Sequence, residues 1–348
     1  MTLLRRSILK LTGAAALSAL ALGAASVASA QEVTLRLHQF LPAPATVPKN
    51  VLVPWIEKIH AESDGRIEIQ HFPSMQLGGK PPELIDQAKD GVADIVWTLP
   101  GYTPGRFPQT EVFELPFMMT NAEAVSRAYW DMAEKHMMDT DFKDLKILAT
   151  WVHGPGLIHS ADPITSPADL DGVKLRAPTR ITNKMFASLG ATAVGMPIPA
   201  VPEALSKGVI DATVIPWEVT APLKTSELVE NHLEFGDASL YTSTFVLAMN
   251  KDTYEGLPDD LKAIIDANSG AELSAMAGRE TQAGDVPGRA IAEDLGNSIT
   301  TLTPEQVAEW QAAAAPIVDA WIAEVSEQGI DGAALVEEAR ALIAKYSN

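Results

Sequence analysis

The 348-residue sequence contains no cysteine. That absence excludes disulfides, thiolate-ligated zinc, a cysteine nucleophile and a lipid anchor on an N-terminal cysteine. Positive charge is scarce too: 26 lysines and arginines stand against 45 acids, for a net charge of −19 at pH 7. Such a chain repels phosphate backbones and anionic headgroups, so nucleic acid is excluded as an expected partner. After residue 30 no apolar run approaches the roughly 20 residues that cross a bilayer, so no stable membrane insertion is expected. Also missing are the G-x-S-x-G elbow, H-E-x-x-H, the P-loop and G-x-G-x-x-G; Gly78-Gly79-Lys80 runs into Pro81 where a P-loop needs Ser or Thr. The histidines stand at 38, 60, 71, 136, 153, 159 and 232, and only His153 and His159 are close, with Pro155 and Gly156 between them. That spacing favours a structural or ligand-contact role over a metal site. Neither metal, cofactor nor catalysis is expected.

What is present begins with an address. Arg5, Arg6 and Lys10 precede the small-apolar run from Leu11 to Ala25, and Ala28-Ser29-Ala30 precedes Gln31. This is the pattern of a secretory signal peptide over 1–30, and Arg5-Arg6 resembles a twin-arginine signal, although general secretion signals also carry paired arginines. Cleavage after Ala30 takes thirty residues and three positive charges from the total, leaving 318 residues at −22. The expected product is an exported, acidic, anchor-free monomer.

With 47% apolar and 20% charged residues, that product has enough apolar surface for cores, and its length fits two lobes. Val33–Leu37 and Arg66–Gln70 alternate with period two, and Ala93–Trp97 reads as a short buried strand; apolar-periodic segments through Ile59 and over 82–89 lie between them. Asn121 predicts an N-cap for a helix through Met137, and further strands are expected at 146–151, 173–177, 191–196, 212–215 and 244–249. Beyond Pro258 the chain is mainly helical in pattern. Alternating strands and helices predict mostly parallel sheets whose ligand crevice opens at the carboxyl ends of the strands.

Several segments then combine: Gln76-Leu77-Gly78-Gly79 with Glu83-Leu84; Lys89-Asp90-Gly91-Val92-Ala93-Asp94; Phe113-Glu114-Leu115-Pro116-Phe117; the run from Pro167 to Pro178; Leu189-Gly190-Ala191; Ala204 to Asp211; and Leu257-Pro258. In this order and spacing they resemble the solute receptors of tripartite ATP-independent periplasmic (TRAP) transporters, the DctP type, over almost the whole mature chain. The resemblance implies an α/β, two-lobed periplasmic solute-binding fold with hinge strands and a helical C-terminal region. It also implies a small organic carboxylate as ligand, TRAP membrane permease subunits as partners, and no catalysis. Lobe I is expected from 31–154 plus 244–284 and lobe II from 155–243 plus 285–348, because the apolar strand at 244–249 follows all the second-lobe strands and needs a sheet to complete. An extracytoplasmic sensor docking on a membrane receptor would use the same cleft, and a secreted hydrolase or lyase would require product formation.

Arg176 ends the strand Val173–Ala177, on the face opposite the apolar side chains and just before Pro178. A guanidinium there can grip a carboxylate with two parallel hydrogen bonds, which lysine cannot reproduce, and the resemblance places the family's carboxylate-binding arginine at this position. Candidate walls come from other strand ends: Gln39 and Phe40, Trp97 and Thr98, Tyr102, Trp151, His153, His159, Ile215 and Trp217. The family often carries an arginine where this chain has Trp151–His159, and an acid or amide where it has Val214-Ile215. Those departures disfavour a polyhydroxylated acid, whose hydroxyls would lack partners. They favour a monocarboxylate with an apolar or aromatic body over a C4-dicarboxylate or short keto acid.

Overall fold

The structure, a computed structural model, describes residues 32–347, so the expected signal peptide at 1–30 lies outside the described residues. Eleven strands are described: β1 (Val33–His38), β2 (Ile67–Phe72), β3 (Ile95–Thr98), β4 (Leu145–Val152), β5 (Leu157–Ser160), β6 (Lys174–Ala177), β7 (Thr192–Gly195), β8 (Ala212–Ile215), β9 (Asn231–Glu234), β10 (Thr244–Asn250) and β11 (Ser298–Thr301). They form a five-stranded sheet in the order β2-β1-β3-β10-β4 and a six-stranded sheet in the order β11-β9-β5-β8-β6-β7. This is the two-lobed α/β architecture expected from the sequence. In β1, Leu35 and Leu37 are fully buried while Arg36 reaches out to Asp94 at 3.0 Å, as the period-two alternation requires.

Each sheet is mostly parallel but carries one reversed strand. β10 runs antiparallel to β3 and β4, and β5 runs antiparallel to β8 and β9. Each follows a change of sheet: β5 follows β4 across residues 153–156, and β10 follows β9 across residues 235–243, whereas β11, which also arrives from the other sheet, runs parallel to β9. A strand delivered by a helical crossover within one sheet must run parallel to its predecessor; a strand entering from the other sheet escapes that constraint. Strands β5, β9 and β11 were not anticipated. Pro155 and Gly156 obscure β5, β9 reads Asn-His-Leu-Glu without clean alternation, and β11 is half-exposed at an edge.

Helices cover the sheets. Asn121 caps Ala122–Met132, its side chain accepting the Ala124 N–H at 2.9 Å, as predicted. β4 is an edge strand, and two serines from neighbouring helices satisfy its outer amides: Thr150 N–H donates to Ser274 Oγ at 3.0 Å and Val152 N–H to Ser126 Oγ at 3.1 Å. This closes an edge that would otherwise invite pairing with another chain. The last helix, Gly332–Tyr346, was grouped with the second lobe on sequence grounds. Its partners lie on the first: Glu338 meets Lys135 and His136, and Tyr346 donates to Asp131 at 2.6 Å.

Helix Ala271–Ala283 crosses helix Ala122–Met132 at Gly278, where a Cβ would lie 2.3 Å from Ser126 Oγ and 2.5 Å from the Ala122 carbonyl oxygen. Gly278→Val is therefore expected to lower the unfolding free energy by about 1–3 kcal/mol through overpacking. Urea denaturation checks this; an unchanged midpoint would show that the helices part freely.

Candidate functional site

One cavity, with about 390 Å³ of empty space, is walled by residues from both sheets: Phe40 after β1, Trp97 in β3, Leu99 and Tyr102 beyond it, His153 after β4, Arg176 in β6, Ile215 ending β8, and Phe245 in β10. These are the carboxyl ends of parallel strands together with the amino end of the reversed strand β10.

Arg176 is the polar centre of this cavity and is 1% exposed. β6 pairs with β7 and β8 in a register that puts Arg176 opposite Val194 and Thr213. From there its Nε donates to the Met196 carbonyl at 2.9 Å and its Nη1 to the Val214 carbonyl at 3.2 Å. Nη2 is buried with no hydrogen-bond partner among the described residues, and no carboxylate pairs with the guanidinium. Burial lowers its pKa, and the hydroxyls of Tyr102 and Tyr241 lie close enough to oppose that shift. A buried arginine stays charged, so the cavity holds a positive charge whose counter-ion the described residues do not supply.

The rest of the wall is largely aromatic. Phe40 stacks on Trp97 at 4.7 Å between centroids, Trp97 on Trp151 at 6.0 Å, and Phe245 lies 5.5 Å from Trp97 and 5.8 Å from Trp151. Phe40 also meets Tyr102 edge-on at 5.8 Å. Trp151 is fully buried behind this layer and supports it without reaching the cavity. His153 is held as a neutral tautomer: Nδ1 donates to the Gly154 carbonyl at 2.6 Å while Nε2 accepts the Ser243 N–H at 3.0 Å, and burial lowers its pKa to about 4.

Of the residues expected from sequence, Phe40, Trp97, Tyr102, His153, Arg176 and Ile215 meet in this cavity, and Gln39, Thr98, Trp151, His159 and Trp217 do not line it. Gln39 is buried beneath Phe40, its side chain accepting the Leu41 N–H and donating to the Leu41 carbonyl, so it shapes the turn that presents Phe40. Thr98 is buried with its hydroxyl towards the Pro81 carbonyl. His159 and Trp217 belong to a separate cluster with His232. Asn297 donates to His232 Nε2, His232 Nδ1 to His159 Nδ1 at 2.7 Å, and His159 Nε2 to the Ile215 carbonyl, a chain that needs both imidazoles neutral. Trp217 lies 5.0 Å from His159 and donates its indole N–H to Glu234 at 2.9 Å. Trp217 opens a helix, Trp217–Leu223, and its side chain turns away from the end of β8, so strand-end position alone misplaced it.

Sequence reasoning missed Tyr241, Ser243, Phe245 and Glu218. The first three lie at or just before the start of the reversed strand β10, where a search of carboxyl ends does not look. Glu218, only 5% exposed, sits in the first turn of Trp217–Leu223 with its N–H on Asp285 Oδ1 at 2.8 Å. Burial, then the nearby Asp285 carboxyl, raises its pKa to about 8; burial raises Asp285 to about 7 and Glu114 to about 7. Among the described residues no group of three or more histidines or acids is placed to hold a metal ion, and no helix is long and apolar enough to cross a membrane.

The model of bacterial extracellular solute-binding protein family 7 (DctP) matches residues 39–324. A TRAP solute-binding protein from Rhodoferax ferrireducens, solved with copurified benzoate, is 51% identical with a TM-score of 0.89, over 90% of this chain and 98% of that one. A marine-metagenome TRAP solute-binding protein described as specific for aromatic acid ligands, solved with 3-hydroxybenzoate, is 48% identical with a TM-score of 0.89, over 91% of this chain and 100% of that one. The C4-dicarboxylate-binding periplasmic protein of Rhodobacter capsulatus is 25% identical over 91% of this chain and 94% of that protein.

The buried acids and histidines set the pH dependence of stability. Glu218, Asp285 and Glu114 have folded pKa values above their unfolded ones, so their contribution is full at low pH and is lost as pH rises through about 7 to about 8. His153, His159 and His232, lowered by burial to about 4, about 3 and about 4, act oppositely, losing stability as pH falls below about 6.5. The two sets offset each other between about pH 4.5 and 6.5, which leaves a net loss between about 6.5 and 8.5. Denaturant midpoints across that upper window are expected to fall, and Glu218→Gln is expected to flatten the fall; a wild-type midpoint that rises there contradicts the assignment.

Proposed function

The chain belongs to bacterial extracellular solute-binding protein family 7, and we propose that this TRAP solute receptor captures an aromatic monocarboxylate in the Arg176 cavity. The observation that carries the ligand class is the buried, acid-free guanidinium with its unpartnered Nη2 in a wall of stacked aromatic rings. The guanidinium supplies charge-assisted hydrogen bonds for a carboxylate. Phe40, Trp97 and Phe245 supply the faces against which a ring packs, worth about 0.5–1.5 kcal/mol per aromatic pair beyond area burial. The benzoate and 3-hydroxybenzoate of the two similar structures support the same class. A C4-dicarboxylate would place a second anion against apolar walls, next to acids held neutral by burial.

Within the described residues the lobes are the two sheets with their helices, divided between 154 and 155, 243 and 244, and 284 and 285, with the last helix bridging back to the first. Contacts between residues of the two lobes hold the cleft shut: the Ile198 N–H donates to the Tyr102 hydroxyl at 3.1 Å, and Arg180 Nε donates to Glu111 at 2.9 Å. Opening about residues 153–156 and 235–243 admits the ligand, and closure excludes water from it. The receptor works in the periplasm as a monomer and delivers its ligand to the membrane permease.

Arg176→Ala is expected to weaken benzoate binding by about 2–5 kcal/mol, the range for removing one partner of a buried charge pair. That is roughly thirtyfold to several thousandfold in Kd by calorimetry. Arg176→Lys keeps the charge, loses the fork and falls between. Trp97→Ala is expected to weaken benzoate by about 1–3 kcal/mol through lost burial and stacking, and Trp217→Ala by clearly less because its ring lies outside the cavity. Wild-type affinity in Arg176→Ala overturns the carboxylate assignment.

Small-angle scattering tests the hinge separately. Adding benzoate is expected to reduce the radius of gyration, and an unchanged radius in the presence of calorimetrically confirmed binding counts against lobe closure.

A further inference from the structure

The polar atoms that a cavity leaves unsatisfied mark where a ligand must offer polar groups, since a buried polar atom without a partner costs about 1–3 kcal/mol. In this cavity they are not all at the arginine. Among the described residues that line it, Trp97 Nε1, Ser243 Oγ and Glu218 Oε2 are also buried and without a hydrogen-bond partner, and of these Glu218 is the one acid. Glu218 is 5% exposed and shares the cavity wall with Ile215 and Val219.

Glu218 lies in an electrostatic neighbourhood of its own. The ionisable groups that feel the charge of Arg176 are Tyr102, Tyr241 and His153. Glu218 responds instead to Asp285, with the Thr46 hydroxyl partly offsetting the upward shift. Arg176 and Glu218 enter the wall from different elements, β6 and the helix Trp217–Leu223. With a pKa near 8 the Glu218 carboxyl carries its proton at neutral pH, and so presents both an O–H donor and a carbonyl acceptor. A second carboxylate there would face Asp285 as well. A neutral hydroxyl, which donates and accepts, matches the group.

Resting on the aromatic-carboxylate assignment, we propose that Glu218 is the specificity-determining contact for a hydroxyl on the ligand's ring, so that the preferred ligand is a ring-hydroxylated aromatic carboxylate. Arg176 holds the carboxylate, the aromatic wall holds the ring, and Glu218 reads the substituent. A site built to hydrogen-bond a hydroxyl rejects the analogue lacking it because its own polar atom is then left unpaired.

Calorimetric titration of benzoate and the three monohydroxybenzoates into wild-type protein, Glu218→Gln and Glu218→Leu at pH 7 tests this. In the wild type at least one hydroxybenzoate is expected to bind about tenfold or more tightly than benzoate, equivalent to about 1.4 kcal/mol. Glu218→Gln, nearly isosteric with the protonated acid, is expected to keep a reduced preference, and Glu218→Leu to abolish it. The wild-type comparison needs no variant to fold. Equal wild-type affinities for benzoate and every isomer, or a preference that survives intact in Glu218→Leu, would overturn the Glu218 assignment and leave the receptor assignment standing. Failure of the wild type to bind any of the four acids would overturn both.

Discussion

A guanidinium buried among rings, held by two backbone carbonyls and paired with no acid, is the constraint on which the rest of the site depends. Arg176 can be placed there only because Met196 and Val214 turn their carbonyls towards it. That requires the ends of β7 and β8 to flank β6 in the observed register. Desolvating such a charge costs several kcal/mol, and two neutral acceptors repay only part of it. The protein thus compensates the arginine's charge only in part, and a bound anion would complete it. Binding and closure are coupled through the same atoms, since Tyr102, which lies near Arg176, also accepts the Ile198 N–H from the opposite wall.

A chain of net charge −19 must nevertheless admit an anion. The long-range field opposes it, but exposed charges more than a Debye length of about 10 Å away are largely screened at 0.1 M salt. What matters is the immediate surroundings, and there burial pushes the acids towards their neutral forms. Glu218, Asp285 and Glu114 are all buried, all raised above the ordinary carboxylate range, and none carries an ion-pair partner that would hold it ionised. Glu111 and Glu324 pair with Arg180, outside the cavity lining. Burial therefore does double service: it weakens the opposition to the arginine's field inside the cavity and leaves the Glu218 carboxyl available as a donor.

The strand ends were legible because period-two alternation and the stops at Pro42, Pro100 and Pro178 mark them, and Arg176, Phe40, Trp97, Tyr102, His153 and Ile215 followed from that rule. The rule failed where its premise failed. β10 runs backwards, so its amino end contributes Phe245, and the approach to it contributes Tyr241 and Ser243. A single sequence carries no sign of strand direction when the strand arrives from the other sheet. Trp217 failed for a different reason: one residue past the strand the chain is already helical, and a 100° step per residue turns Trp217 outwards to the His159–His232 pair. Glu218 was passed over because an acid in an acidic chain carries no signal of its own; only its burial distinguishes it.

The crossing between lobes joins these features mechanically. Residues 153–156 thread a passage with no room for side chains at its glycines: a Cβ on Gly154 would lie 2.1 Å from Asp285 Oδ2, and one on Gly156 would lie 2.1 Å from the Tyr241 ring. Asp285 holds the Glu218 N–H, Tyr241 lines the cavity, and His153 at the head of the crossing lines it too. A swing of one lobe about these four residues cannot leave Tyr241, Asp285 or His153 where they are, because packed elements shift between discrete arrangements more readily than they deform continuously. The segment that joins the sheets is therefore part of the cavity's wall, since His153 at its head and Tyr241 against Gly156 both line the cavity.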